Sequence, residues 1–238
     1  TLYFAQGLPY VAVMTISLIM YKRLGISNTE IAFYTGWLNL PWVIKPLWSP
    51  FVDLIKTKRW WITLMQLLIG AGLAGIAFTI PTEHFFQLTL AVFWLMAFSS
   101  ATHDIAADGF YMLGLSEEAQ SFFAGIRSTF YRIATIFGQG ILIYLAGKLE
   151  IITNNITLAW SITFGILCAM LVILSIYHHF SLPRPEADKP RNVSNIKEAL
   201  GSFGNIIVSF FKKPGIVPAL LFMLLFRLPE AQLVKLIT

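Results

Sequence analysis

Apolar runs of about 20 residues recur along the whole chain, and each is long enough for a helix to cross a bilayer. Because hydrocarbon offers no water to the backbone, such runs fold into helices that satisfy their own hydrogen bonds. Hydrophobic residues make up 57% of the 238 residues and charged residues 12%, whereas an ordinary soluble domain is about 25% charged. The sequence therefore predicts an all-α, multi-pass transmembrane helix bundle.

Seven spans are predicted from the positions of these runs. They cover residues 2–21, 31–55, 60–80, 85–115, 122–149 and 157–180, and the seventh begins near residue 215. The second span contains Pro41, Pro46 and Pro50, and since proline removes a backbone donor, we expect this helix to be kinked. Asn28 is the expected cap of the same helix.

The composition changes sharply after the sixth span. Residues 183–195, PRPEADKPRNVSN, are polar and rich in proline, and residues 196–211 carry apolar side chains at helical spacing. The second stretch is typical of an amphipathic helix on a membrane surface. We expect a six-helix half over residues 1–182, a cytoplasmic linker over 183–214 and the start of a second half over 215–238. The chain lacks an initial Met and ends in an apolar run, so we expect a longer protein.

Lysine and arginine are distributed unevenly between the loops, which predicts the orientation. The loops after the even spans hold Lys56, Lys58, Arg59, Arg184, Lys189, Arg191, Lys197, Lys212 and Lys213, and those after the odd spans hold Lys22, Arg23 and Lys148. Basic loops stay in the cytoplasm, so the even loops and the N-terminus are expected there. The same distribution explains the net charge of +5 without a nucleic-acid partner.

Three ionisable residues lie inside the fourth span: His103, Asp104 and Asp108. A charge in hydrocarbon costs a few kcal/mol or more, so such residues usually have a specific role. Asp104 and Asp108 are four residues apart, which puts them on one face of a helix. Like charges at that spacing repel each other, so this face requires nearby cations, a bound proton, or both.

Cations occur at matching depths in two other spans. At 1.5 Å per residue, Asp108 and Arg127 both lie roughly 10 Å from the cytoplasmic end of their spans. Asp104, Lys45 and Arg132 lie roughly 15–18 Å in. One interpretation is that these groups line a polar cavity that binds an anionic or sugar-like solute, with Asp104 or Asp108 as the proton carrier. The alternative is that they form salt bridges that lock the bundle or its cytoplasmic gate.

Other polar residues in the spans have narrower interpretations. Gln6 in the first span is a candidate solute contact. His103 is expected to be a packed residue or to form a hydrogen bond between helices, and not to bind a metal, because no Cys or second His nearby completes a metal site. In the seventh span, Arg227 and Glu230 are three residues apart and either pair with each other or face the cavity. We predict no metal and no cofactor.

An enzyme is the alternative from another functional class. The stretch DIAADG in the fourth span is similar to the acidic DxxDG motif of lipid head-group transferases. Here the two acids have the spacing DxxxDG, no Ala-Arg follows, and no second acidic pair is present to hold Mg²⁺. No phosphate-cradling glycine loop and no Ser-His-Asp constellation occur either. We therefore expect that the chain is not an enzyme.

Three segments resemble one known family of transporters. YFAQGLPY, LPWVIKPLWSPFVD and HDIAADGFYMLGL are similar to the muropeptide permease (AmpG-like) branch of the major facilitator superfamily, to which acetyl-CoA transporters are related. The resemblance implies a proton symporter of the bacterial inner membrane that imports anhydromuropeptides for peptidoglycan recycling. It implies functional roles for Lys45, Asp53, Asp104 and Asp108. Asp53, Lys58 and Arg59 resemble the superfamily's cytoplasmic gating loop.

The expected function is therefore secondary active transport of a muropeptide-like solute with protons, by a monomer in the lipid bilayer. The alternative within transport is another bulky anion, such as a CoA ester or a siderophore. A membrane-embedded enzyme would reveal itself by an intramembrane metal requirement. A signalling or scaffold protein that has lost transport would keep the fold and show no solute flux.

Overall fold

The computed structural model describes residues 1–189 and, beyond them, residues 201, 204, 208–209, 212–219, 221–222 and 225. Contacts divide the chain into two units, Thr1–Arg191 and Asn192–Thr238. In the second unit, a turn over residues 212–215 precedes helical residues 216–219. Most of the predicted amphipathic helix, together with Arg227 and Glu230, lies outside the described residues. The predicted part boundaries near residues 182 and 214 stay predictions.

The first unit is built from helices, and its described residues include no strand. In chain order the helices are α1 (Leu2–Arg23), α2 (Asn28–Thr35), α3 (Leu40–Ile44), α4 (Ser49–Ile55), α5 (Lys58–Thr79), α6 (Phe85–Gly114), α7 (Glu117–Thr153) and α8 (Ile156–Ser181). Helices α1, α5, α6, α7 and α8 are long and apolar enough to cross a membrane. The predicted all-α, multi-pass fold is confirmed.

The second predicted span is interrupted where its prolines lie. Helix α2 leads into a 3₁₀ turn, Gly36–Asn39, and α3 leads into another, Lys45–Leu47, before α4 begins. Prolines occupy the first turns of α3, of the second 3₁₀ turn and of α4. The predicted kink is thus confirmed. The helix is interrupted at more than one place, because the span consists of short helical pieces joined by 3₁₀ turns.

The cap of this broken span is Ser27, so the prediction of Asn28 was wrong by one residue. The Glu30 backbone N–H donates to Ser27 Oγ at 3.3 Å, and the Ser27 N–H donates to Glu30 Oε2 at 3.3 Å. This reciprocal arrangement satisfies two backbone donors that a helix start otherwise leaves free. Asn28 is the first helical residue, and its Oδ1 accepts from Lys22 Nζ at 2.6 Å.

Helix α1 lies at the centre of the first unit. Its apolar stretch is 56% buried, whereas that of α7 is 17% buried. Helix α1 packs against α6 and α7, and α5 packs against α6 and α8. The core between these helices contains Ile16, Leu73, Phe93 and Phe164, all at most 1% exposed. The polar residues of α1 and α6 are therefore held on well-packed helices.

Glycines allow α1 and α7 to approach each other closely. A Cβ atom at Gly7 would lie 2.8 Å from Ala134 Cβ and 3.1 Å from the Tyr131 carbonyl oxygen. A Cβ atom at Gly138 would lie 2.6 Å from Val11 Cγ1. Small residues at such crossings are typical of packed membrane helices. The two glycines therefore hold α7 close to α1.

The variant Gly7→Ala is expected to lower the free energy of unfolding by about 1–3 kcal/mol, the usual cost of overpacking. Thermal unfolding in detergent measures the change. Gly125→Ala, on α7, is the control, because beyond the backbone of its own helix no atom lies within 4 Å of the new Cβ. Combining Gly7→Ala with Ala134→Gly should recover part of the loss. Equal melting temperatures for Gly7→Ala and Gly125→Ala would contradict this account of the crossing.

Candidate functional site

The first pair of buried charges joins the broken span to α6. Lys45 Nζ lies 3.7 Å from Asp104 Oδ2, and the side chains are 33% and 13% exposed respectively. Lys45 begins the second 3₁₀ turn, so the helix break positions its side chain. Nearby, Trp48 Nε1 donates to Thr102 Oγ1 on α6 at 3.2 Å. Gln6 on α1, the predicted solute contact, is 7% exposed, and its Oε1 is buried without a hydrogen-bond partner among the described residues.

The second pair joins α7 to α6, and its acid lies one helical turn after Asp104. Arg127 Nη1 lies 3.6 Å from Asp108 Oδ1, and about a third of each side chain is exposed. The Tyr3 hydroxyl donates to the same Asp108 oxygen at 3.2 Å and accepts from Arg127 Nη1 at 3.3 Å. The Arg127 guanidinium also lies over the rings of Tyr3 and Tyr111, 4.8 and 5.0 Å from their centroids.

Arg132, the third predicted cation, meets neither carboxylate. Its side chain is exposed, and it forms no ion pair with any residue that the structure describes. Its predicted depth matches that of Asp104, but its guanidinium forms no ion pair with the Asp104 carboxylate, which Lys45 contacts. The arrangement thus combines two paired acids on α6 with one exposed guanidinium on the neighbouring helix.

His103 belongs to a buried chain of hydrogen bonds on another side of α6. Its Nε2 lies 3.0 Å from Gln66 Nε2 on α5, and Gln66 Oε1 lies 3.0 Å from His178 Nδ1 on α8. His178 Nε2 in turn lies 3.1 Å from Thr1 Oγ1. The predicted interhelical role of His103 is confirmed. No group of three acid, His or Cys side chains suited to a metal occurs among the described residues.

The three residues predicted as a gating loop lie at the junction of α4 and α5. Asp53, on α4, forms an ion pair with Lys58. Lys58 and Arg59 are the first two residues of α5 rather than loop residues. Their backbone N–H groups donate to the two carboxylate oxygens of Asp188, at 2.6 and 3.1 Å. Asp188 is 8% exposed, and its carboxylate satisfies the first two backbone donors of α5.

The Arg59 side chain also contacts the end of α8, just before the segment that carries Asp188. Its guanidinium donates to the carbonyl oxygen of Leu182 at 3.2 Å and to that of His179. The start of α5 and the end of α8 therefore cap each other. Sequence reasoning missed Asp188, because it lies in a polar, proline-rich stretch that carries no pattern pointing to a helix 130 residues away.

A cavity of about 570 Å³ lies beside this junction. Its polar lining includes Asp53, Lys58, Asp108 and Asp188. Gly109 also lines it, and a Cβ there would lie 2.9 Å from Lys58 Cε. The cavity thus joins the charged face of α6 to the capped end of α5.

Comparison with known protein families identifies the family of this chain. Residues 4–229 match the model of the BT1 family. The chain belongs to the BT1 family. The BT1 family is a family of transporters, and the multi-pass character of the described helices fits that membership. The predicted kinship with AmpG-like permeases is confirmed by the individual relatives.

Three relatives illustrate this kinship. AmpG 4 of Rickettsia conorii, named as a candidate transporter, is 26% identical over 96% of this chain and 55% of its own length. Its counterpart in Rickettsia felis is 27% identical over the same shares. The anhydromuropeptide permease of Escherichia coli K12 is 28% identical over 71% of this chain and 33% of its own length. The chain thus spans about half the length of the Rickettsia relatives. All three carry transporter or permease names, in agreement with the prediction that the chain is not an enzyme.

The variant Asp188→Ala should lower the free energy of unfolding by about 0.5–2 kcal/mol, the usual effect of removing a helix cap. The reason is that two backbone N–H groups at the start of α5 lose their acceptor. Thermal unfolding of the purified protein measures the change. Glu186→Ala is the control, because Glu186 is exposed on the same segment. Equal stability of both variants would show that the Asp188 contact contributes nothing.

Proposed function

We propose that this BT1-family chain is part of a proton-coupled importer of anhydromuropeptides. The observation that supports the proposal is the pair of carboxylates on α6, each facing a cation from a different segment. Lys45 comes from the broken span and Arg127 from α7. Interrupted helices and paired ionisable groups inside a membrane are typical of secondary transporters.

Asp104 is the proposed proton carrier. A carboxylate loses its charge when it binds a proton, whereas arginine keeps its charge. The Asp104 side chain is less exposed than that of Asp108, 13% against 33%. Because less water reaches it, the charged form of Asp104 depends more on its ion pair with Lys45 than that of Asp108 depends on Arg127. Protonation of Asp104 removes that attraction and frees Lys45 for another anion. Binding of a proton and binding of an anionic solute therefore favour each other.

The solute class is proposed from the chemistry of the site together with the relatives. Lys45, Arg127 and Arg132 supply cations for carboxylates, and Gln6 supplies an amide for hydroxyl or amide groups. An anhydromuropeptide carries both kinds of group. One relative of this chain is named anhydromuropeptide permease. A CoA ester or siderophore is the alternative solute, because the exposed Arg132 suits any bulky anion.

The remaining assignments follow from the same proposal. The full protein would consist of two six-helix halves of the major facilitator type in the bacterial inner membrane, acting as a monomer. The N-terminus and the junction of Asp53, Lys58 and Arg59 would face the cytoplasm, where that junction braces the gate.

The proposal is tested with the full-length protein in proteoliposomes. Uptake of a labelled anhydromuropeptide is followed with and without an imposed inward proton gradient, for the wild type, Asp104→Asn and Glu83→Gln. Glu83→Gln is the control, because Glu83 is an exposed acid in the turn before α6. The gradient should drive uptake by the wild type and the control. In Asp104→Asn, uptake should fall to the level without a gradient, because the amide cannot carry the proton.

Two outcomes would revise the proposal in different ways. If Asp104→Asn keeps gradient-driven uptake, the solute class stands and Asp104 is only a structural charge. If folded wild-type protein takes up no anhydromuropeptide, the solute class is wrong. The same vesicles would then be tested with labelled CoA esters.

A further inference from the structure

Asp108 and Arg127 form an ion pair, and each of them lines a different cavity. Asp108 lines the polar cavity of about 570 Å³. Arg127 lines a second cavity of about 310 Å³, whose other walls are mainly apolar and include Phe123, Ile126 and Phe130. Asp108 Oδ1 and Arg127 Nη1 are 3.6 Å apart, so the two cavities contact the same ion pair.

The Tyr3 hydroxyl contacts both members of this pair. Its bonds to Asp108 and Arg127, at 3.2 and 3.3 Å, are shorter than the 3.6 Å between the two charged atoms. Tyr3 also lines the apolar cavity, and its ring lies under the guanidinium. The side chain therefore links the two charges through one oxygen atom and lies beside the apolar cavity.

The Tyr111 ring also lies against the Arg127 guanidinium, but its hydroxyl does not bridge Asp108 and Arg127. Its ring centroid lies 5.0 Å from the Arg127 guanidinium carbon, much as that of Tyr3 does, and the two tyrosine rings pack edge to face. The Tyr111 hydroxyl, however, donates to the Gln120 carbonyl oxygen. The chain thus offers two tyrosines on the same guanidinium, of which one hydroxyl touches the ion pair.

We propose that Tyr3 is a positioning residue, whose hydroxyl bridges Asp108 and Arg127 and holds the two side chains together. A hydroxyl can donate one hydrogen bond and accept others. It therefore donates to Asp108 when the acid is charged and accepts from it when the acid is protonated, keeping contact with Arg127 in both states. A direct ion pair would lose its attraction on protonation. The other ionisable groups lining the cavity on the Asp108 side are Asp53, Lys56, Lys58, Asp188 and Lys189.

The test measures chemical modification of Asp108 in the full-length protein in detergent. An apolar carbodiimide modifies protonated carboxyl groups shielded from water, and mass spectrometry quantifies Asp108 and Asp104 separately. Tyr3→Phe should raise modification of Asp108 several-fold, because a carboxylate that loses a hydrogen-bond donor takes up a proton more readily. The Phe ring keeps the stacking contact, so Arg127 is expected to stay in place. Tyr111→Phe should leave Asp108 modification at the wild-type level.

Asp104 is the internal reference in each sample, because Tyr3 donates to Asp108 and not to Asp104. Equal changes in Tyr3→Phe and Tyr111→Phe, or no change in either, would overturn the proposal. A rise at Asp104 as large as that at Asp108 would also overturn it, since it would mean general loosening. The modification assay uses no solute, so its outcome is independent of the proposed import.

Where uptake is measurable, it supplies a second readout. The pH profile of uptake should move in Tyr3→Phe and stay in place in Tyr111→Phe. A loss of protein stability alone would lower the amount of active protein without moving that profile. An unchanged profile in Tyr3→Phe would count against the bridge even if total uptake fell.

Discussion

The placement of two carboxylates on one face of α6 is the constraint on which the rest of the first unit depends. A charge inside a membrane costs several kcal/mol unless it is paired or neutralised, and two like charges one turn apart add repulsion. Asp104 and Asp108 therefore require partners from outside α6. Lys45 and Arg127 supply them from segments on either side of α6 in the sequence. The broken span and α7 must both come close to α6.

Packing and electrostatics depend on each other at α1. Helix α1 lies against both α6 and α7, and the absence of side chains at Gly7 and Gly138 lets α1 and α7 approach each other closely. The same helix contributes Tyr3 to the pair of Arg127 and Asp108. A glycine that serves backbone packing and a tyrosine that serves the ion pair thus lie four residues apart. Their spacing places both on one face of α1, the face towards α7.

The sequence predicted much of this fold, because length, apolar composition and proline determine where helices lie and break. The rise per residue also gave the depth of each charge, which paired Lys45 with Asp104 and Arg127 with Asp108 as possibilities. Depth contains no information about rotation around the helix axis, so Arg132 matched Asp104 in depth although the two form no ion pair in the structure. Asp188 was missed for another reason: its contacts with the start of α5 are tertiary, and its local sequence shows only a polar segment.

The charged face of α6 and the start of α5 share a neighbour in Lys58. Lys58 forms the ion pair with Asp53, and its side chain lies against Gly109, the residue after Asp108. A Cβ atom at position 109 would lie 2.9 Å from Lys58 Cε, so a glycine there leaves room for this side chain. Lys58 is also the first residue of α5, and its N–H donates to Asp188. Direct contacts therefore run from α6 through Lys58 to the segment after α8.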